Sequence, residues 1–122
     1  MILADTSVWV DHFRSGNRKL TALLDAASVL IHPAVIGEIA LGHLPRRQFV
    51  LAALRNLPRA DAATDQEVLR FIDDQSLFGH GIGYVDAQLL AATRLTAGAT
   101  LWTLNARLKA AAGQLGVAAA VA

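Results

Sequence analysis

Cysteine is absent from this 122-residue chain. That excludes a disulfide framework and thiolate metal sites, and it agrees with a reducing compartment. The first residues carry no basic stretch, and Asp5 and Asp11 interrupt what would be the apolar segment of a secretion signal. No apolar run approaches the length of a membrane span. Net charge is nearly absent too. At a formal +1 the chain has no general field for polyanions, so any nucleic-acid contact must come from local basic clusters. The expectation is a soluble cytoplasmic protein.

Several signature motifs are also missing. The histidines, His12, His32, His43 and His80, are dispersed, with no H-x-x-x-H pair and no H-E-x-x-H run. No G-x-S-x-G elbow announces a serine hydrolase. GHGIG lacks the lysine of a phosphate loop and follows a helical pattern instead of a strand, so it reads as a flexible turn.

What the chain has in quantity is apolar surface: 54% of residues are hydrophobic and 17% charged. Residues 1–122 are enough for one domain that closes a core without staples, with a surplus available for a subunit interface. MILA reads as a strand buried on both faces, and SVWVDHFR as a helix capped by Thr6 or Ser7. LTALLDAA is amphipathic, and SVLIH is a second short strand. Pro33 opens a largely buried helix, PAVIGEIALGHL, that Pro45 stops; RRQFVLAALRNL is a helix ended by Pro58. Thr64 and Glu67 form a capping box for a helix reaching about Phe78. YVDAQLLAATRLTAG is helical up to Gly98, ATLWT is a strand, Asn105 caps a last helix, and VAAAVA adds a short edge strand. Strands alternating with helices imply a parallel sheet with right-handed crossovers and a site at the carboxyl ends of its strands. Asp5 and Asn105 both follow such ends.

Three carboxylates lack partners along the chain. The neighbours of Glu38 one turn away are Ala34, Val35, Leu41 and Gly42; those of Asp86 are Ile82, Gly83, Leu89 and Leu90. With Asp5, they are expected to be buried without compensation, which costs several kcal/mol or neutralises the acid. A shared divalent cation resolves all three, and oxygen-only ligands point to Mg²⁺ or Mn²⁺. Structural roles compete: Asp86 lies where a carboxylate favours the helix dipole, Asp5 can cap the following turn, and asparagine before a helix, as at Asn105, is commonly its N-cap.

ADTSVWVDHFR, HPAVIGEIALG, GIGYVDAQLLAA and LWTLNARL together resemble the PIN domain, and within it the VapC toxins of bacterial VapBC toxin–antitoxin systems. The resemblance spans essentially the whole chain, in order. It implies a PIN-like three-layer α/β/α sandwich with a small parallel sheet, and a toxic ribonuclease dependent on Mg²⁺ or Mn²⁺ that leaves 5′-phosphate and 3′-hydroxyl ends on RNA, with tRNA or another structured RNA as substrate. Asp5, Glu38 and Asp86 match its acidic cluster, and Ser7 and Thr103 match positions that support it. Asn105 falls where many relatives carry a fourth aspartate, which predicts one firmly bound ion. The resemblance further implies a homodimer and a VapB-like antitoxin lying across the helices, with Trp9 and Phe13 as candidate contacts. Substrate grip is assigned to Arg14, Arg18 and Lys19, to Arg46 and Arg47, and to Arg107 and Lys109, each of which is equally readable as a solvated surface charge.

Two other classes compete with a nuclease. A phosphatase of the haloacid dehalogenase type also starts from an aspartate at a strand end but wants a second two positions later, where this chain has Ser7. The other is a non-catalytic PIN-fold module whose metal site Asn105 has weakened.

Overall fold

In a computed structural model describing residues 1–121, β1 (Ile2–Ala4) is the centre of a parallel sheet, flanked by β2 (Val29–Leu30) and β3 (Thr100–Trp102) in the order β2-β1-β3. Successive strand residues point to opposite faces. Yet Leu3 and Ala4, Val29 and Leu30, and Leu101 and Trp102 are all buried, so helices must cover both sides. That is the three-layer α/β/α arrangement expected of these apolar runs. Single bridges lengthen the sheet at each edge, Ile31 to Arg59 beside β2 and Leu101 to Ala118 beside β3. The tail therefore does pair, as an isolated bridge; Ala122 lies outside the described residues.

Seven helices connect and cover the strands: α1 (Thr6–Ser15), α2 (Arg18–Asp25), α3 (Pro33–Ala40), α4 (Arg47–Arg55), α5 (Asp65–Asp74), α6 (Tyr84–Leu95) and α7 (Ala106–Gln114). None of the helices is long and apolar enough to cross a membrane. Their starts follow local chemistry. Thr64 Oγ1 accepts from the Glu67 N–H at 3.2 Å while Glu67 Oε1 accepts from the Thr64 N–H at 2.8 Å, the capping box read from sequence. Two ends come early. α5 stops at Asp74 because Ser76 turns left-handed at φ 53°, letting Leu77 N–H return to Ile72 O at 2.9 Å and bury its side chain. α3 stops at Ala40, well short of Pro45. Leu41 is 90% exposed and Gly42 N–H tightens onto Ile39 O at 3.1 Å, so the end of that segment is not buried as expected.

α3 is also tied to pH. His32 is buried and its Nδ1 accepts the Ala34 N–H at 3.0 Å, a cap only the neutral ring provides. Burial first, and the Arg59 charge second, lower its pKa from the ordinary 6.5. The unfolded chain therefore takes up a proton before the folded one does. The stability contributed by neutral His32 is complete above about pH 6.5 and is lost as pH falls below it. The melting temperature should drop between pH 7.5 and 5.5. In His32→Asn, which can cap without titrating, thermal melts should show a smaller drop.

Candidate active site

β1 and β3 run side by side in register, Ala4 opposite Trp102, and the Asp5 N–H donates to Trp102 O at 2.9 Å. Whatever follows the two strands is thus brought to one edge. Asp5 stands at the N-cap of α1, but its carboxylate accepts no backbone N–H from the first turn of that helix. Thr6 begins the helix, so neither Thr6 nor Ser7 is its cap, and both hydroxyls are free to act elsewhere. Ser7 Oγ donates to Asp5 Oδ2 at 2.7 Å, and Thr103 Oγ1 donates to the same oxygen at 2.5 Å. These hydroxyls are themselves fixed, since Ser7 Oγ accepts from the Leu104 N–H at 3.0 Å and Thr103 Oγ1 from the Asn105 N–H at 3.0 Å. Asp5 is only 6% exposed, yet no hydrogen bond among the described residues engages its Oδ1.

Asp86 is half-buried in the first turn of α6, where Oδ2 accepts from the Gly83 N–H at 3.1 Å. The structural role read for it is therefore real, and a second effect acts with it. Burial pushes its carboxyl above the ordinary range, the Gly83 bond pulls it down, and the negative charge of Asp5 pushes it up again. Residues remote in sequence thus share one electrostatic field.

Glu38 departs from expectation. It is exposed, so no desolvation cost has to be offset, and its partner comes from another helix: Thr6 Oγ1 donates to Oε1 at 2.6 Å. A sequence search along α3 alone could not find that partner, although a hydroxyl directly after Asp5 was the available signal. Among the described residues, no three Asp, Glu or His side chains lie close enough together to hold a metal ion. Asp5 and Asp86 are the acids here whose charges act on each other. Oxygen-only, with one Asp5 oxygen unengaged and mutual repulsion that a cation would relieve, this pair suits a hard divalent ion that keeps several waters. Asn105 N-caps α7, its Oδ1 accepting from the N–H groups of Arg107 at 3.0 Å and Leu108 at 3.1 Å.

The basic residues do not form one surface. Arg18, Lys19 and Lys109 line a cavity of about 400 Å³ that Thr103 and Leu104 also border. Arg14 lines a separate groove of about 390 Å³ with Phe13, Glu38 and His43. Arg107 lies across Gly81, at φ 74°, so closely that a Cβ there would stand 2.7 Å from Nη1. Arg46 stacks 4.3 Å over the Phe49 ring, and Arg47 donates to Gly42 O at 3.5 Å. Trp9 is 3% exposed in the core, and its buried indole Nε1 has no hydrogen-bond partner among the described residues, so it is not a surface contact for a partner; Phe13 is 39% exposed.

No protein-family model matches the chain. Over 120 residues, covering 98% of this chain and 97% of theirs, it is 47% identical to Ribonuclease VapC32 of Mycobacterium tuberculosis, in the CDC 1551 / Oshkosh strain and in the ATCC 25618 / H37Rv strain.

Proposed function

The chain belongs to the VapC ribonucleases, and from that premise we propose that Asp5 and Asp86 together hold one Mg²⁺ or Mn²⁺ ion for the hydrolysis of RNA phosphodiester bonds. The observation that carries this reading is Asp5 itself, buried at the carboxyl edge of the sheet with one oxygen held by Ser7 and Thr103 and the other unengaged, its charge acting on Asp86. When bound, the ion supplies a Lewis acid for the phosphoryl oxygens and a more acidic water. The protein does the positioning. Ser7 and Thr103 lock one Asp5 oxygen and leave the other unengaged. The Gly83 N–H turns Asp86 by one oxygen in the same way. To Glu38, exposed and steered by Thr6, we assign the role of orienting water and accepting its proton. We assign 5′-phosphate and 3′-hydroxyl products to this in-line attack.

With the oxygen of Asn105 turned to its own helix, the site is left with two coupled carboxylates, which favours a single resident ion. Incubating the protein with total RNA and either metal tests the reading, and absence of cleavage with both sinks it, leaving a non-catalytic module. Asn105→Asp keeps the cap and adds charge. It should bind metal more tightly in calorimetry; unchanged affinity would place position 105 outside the ion's reach.

For partners we propose a VapB-like antitoxin and a second copy of the chain. Val10, Phe13, Leu41 and Phe49 are exposed apolar side chains that either could cover.

A further inference from the structure

Beyond the acidic centre lies a cavity that the proposed chemistry does not use. α2 contributes Arg18 and Lys19 from its first turn and α7 contributes Lys109, so three cations from separate parts of the chain meet in about 400 Å³. Asp11 also faces the space, but its Oδ2 accepts from Asn17 Nδ2 at 3.0 Å, and positive charge remains in excess. Asn17 Oδ1 caps Leu20 at 3.0 Å, which leaves the field of the α2 N-terminus adding to that of the side chains. One residue joins the two sites. Thr103 lines this cavity and donates to Asp5, so the basic space and the acidic centre lie on two sides of the same short segment after β3.

We infer that this cavity is a backbone-phosphate subsite that seats a phosphate of the RNA strand next to the one being cut. The inference rests on the ribonuclease reading and adds to it the path of the strand. Like charges explain the division of labour. The acidic pair repels an RNA phosphate until a cation is present, whereas Arg18, Lys19 and Lys109 attract one regardless of metal. Metal-free affinity for RNA is therefore expected to reside here, with a strong dependence on salt. Lys19 and Lys109 are exposed and bear on no core packing, so their removal leaves the fold in place.

The test titrates a fluorescein-labelled single-stranded RNA 20-mer in EDTA, reading anisotropy across a salt series. Wild type is compared with Lys19→Ala, Lys109→Ala, the double variant, and Arg70→Ala, which removes an equal charge from an exposed site on α5. The double variant should weaken binding about tenfold, and the slope of log K against log salt should shrink by about 0.7 for each lysine removed. In cleavage assays with Mg²⁺ or Mn²⁺, KM should rise while kcat holds. Slopes no different from Arg70→Ala, or a fall in kcat without a rise in KM, overturn the subsite. Failure of the wild type to cut RNA is a separate result: it removes the nuclease reading, while the metal-free titration still decides whether the cavity holds phosphate.

Discussion

Asp5→Asn should lower RNA cleavage by at least about 100-fold, on the scale seen when a preorganised electrostatic group is removed from a site, without unfolding the protein. The substitution is nearly isosteric, and an asparagine Oδ1 can still accept from Ser7 Oγ and Thr103 Oγ1, the two donors that hold Asp5 in place. What disappears is the charge. Half of the coupled pair is then neutral, and the proposed ion is left with one charged ligand. Asp86 should respond in a way that a mere packing defect would not produce: with the Asp5 push removed, its carboxyl should titrate closer to the ordinary range, readable by carboxyl NMR. The melting temperature without metal should hold or rise, because a like-charge repulsion has been relieved. Cleavage within a few fold of wild type would remove Asp5 and its partner from the chemistry.

The second large effect concerns the frame that presents the acids. Leu3 sits in the central strand, 0% exposed, paired to Leu30 on one side and Leu101 on the other. Leu3→Ala should cost about 2–5 kcal/mol, combining lost transfer energy with the cavity left behind. Against a total stability of roughly 5–15 kcal/mol, that is a large fraction, and the melting temperature should fall by on the order of 10 °C. Leu69→Ala, removing the same atoms from a side chain 58% exposed on α5, should stay within about 0.5 kcal/mol. Equal losses at the two positions in chemical denaturation would mean that the three-stranded sheet is not the centre of the core.

Much of this architecture was legible before any coordinates. Short apolar runs mark the three strands, and the start of α5 just after Thr64 is legible because its capping chemistry is local. Endings were harder. Ser76 closes α5 in a conformation usually left to glycine, and α3 stops before an apolar Leu41 that looks like more core. Exposure, too, depends on what packs nearby. The apolar neighbours of Glu38 suggest burial and the fold exposes it, whereas Trp9, a candidate partner contact by resemblance, lies in the core. Asn105 does perform the capping role that local sequence suggested, and Asp86, read as favouring the helix dipole, also accepts the Gly83 N–H while feeling the charge of Asp5.

The sequence by itself determined the elements, the carboxylates without local partners, and the family to which their motifs are similar. The first two follow from periodicity, capping and spacing, all of which act within a few residues; the family rests on the resemblance of four motifs taken together. Only the tertiary structure decided that Ser7 and Thr103 clasp one oxygen of Asp5, that Thr6 reaches Glu38 from another helix, and that Lys109 meets Arg18 and Lys19. Coulomb and hydrogen-bond energies depend on distance in space. For MILADTSVWV, that distance is set where β1 and β3 end side by side, beyond the reach of any reading along the chain.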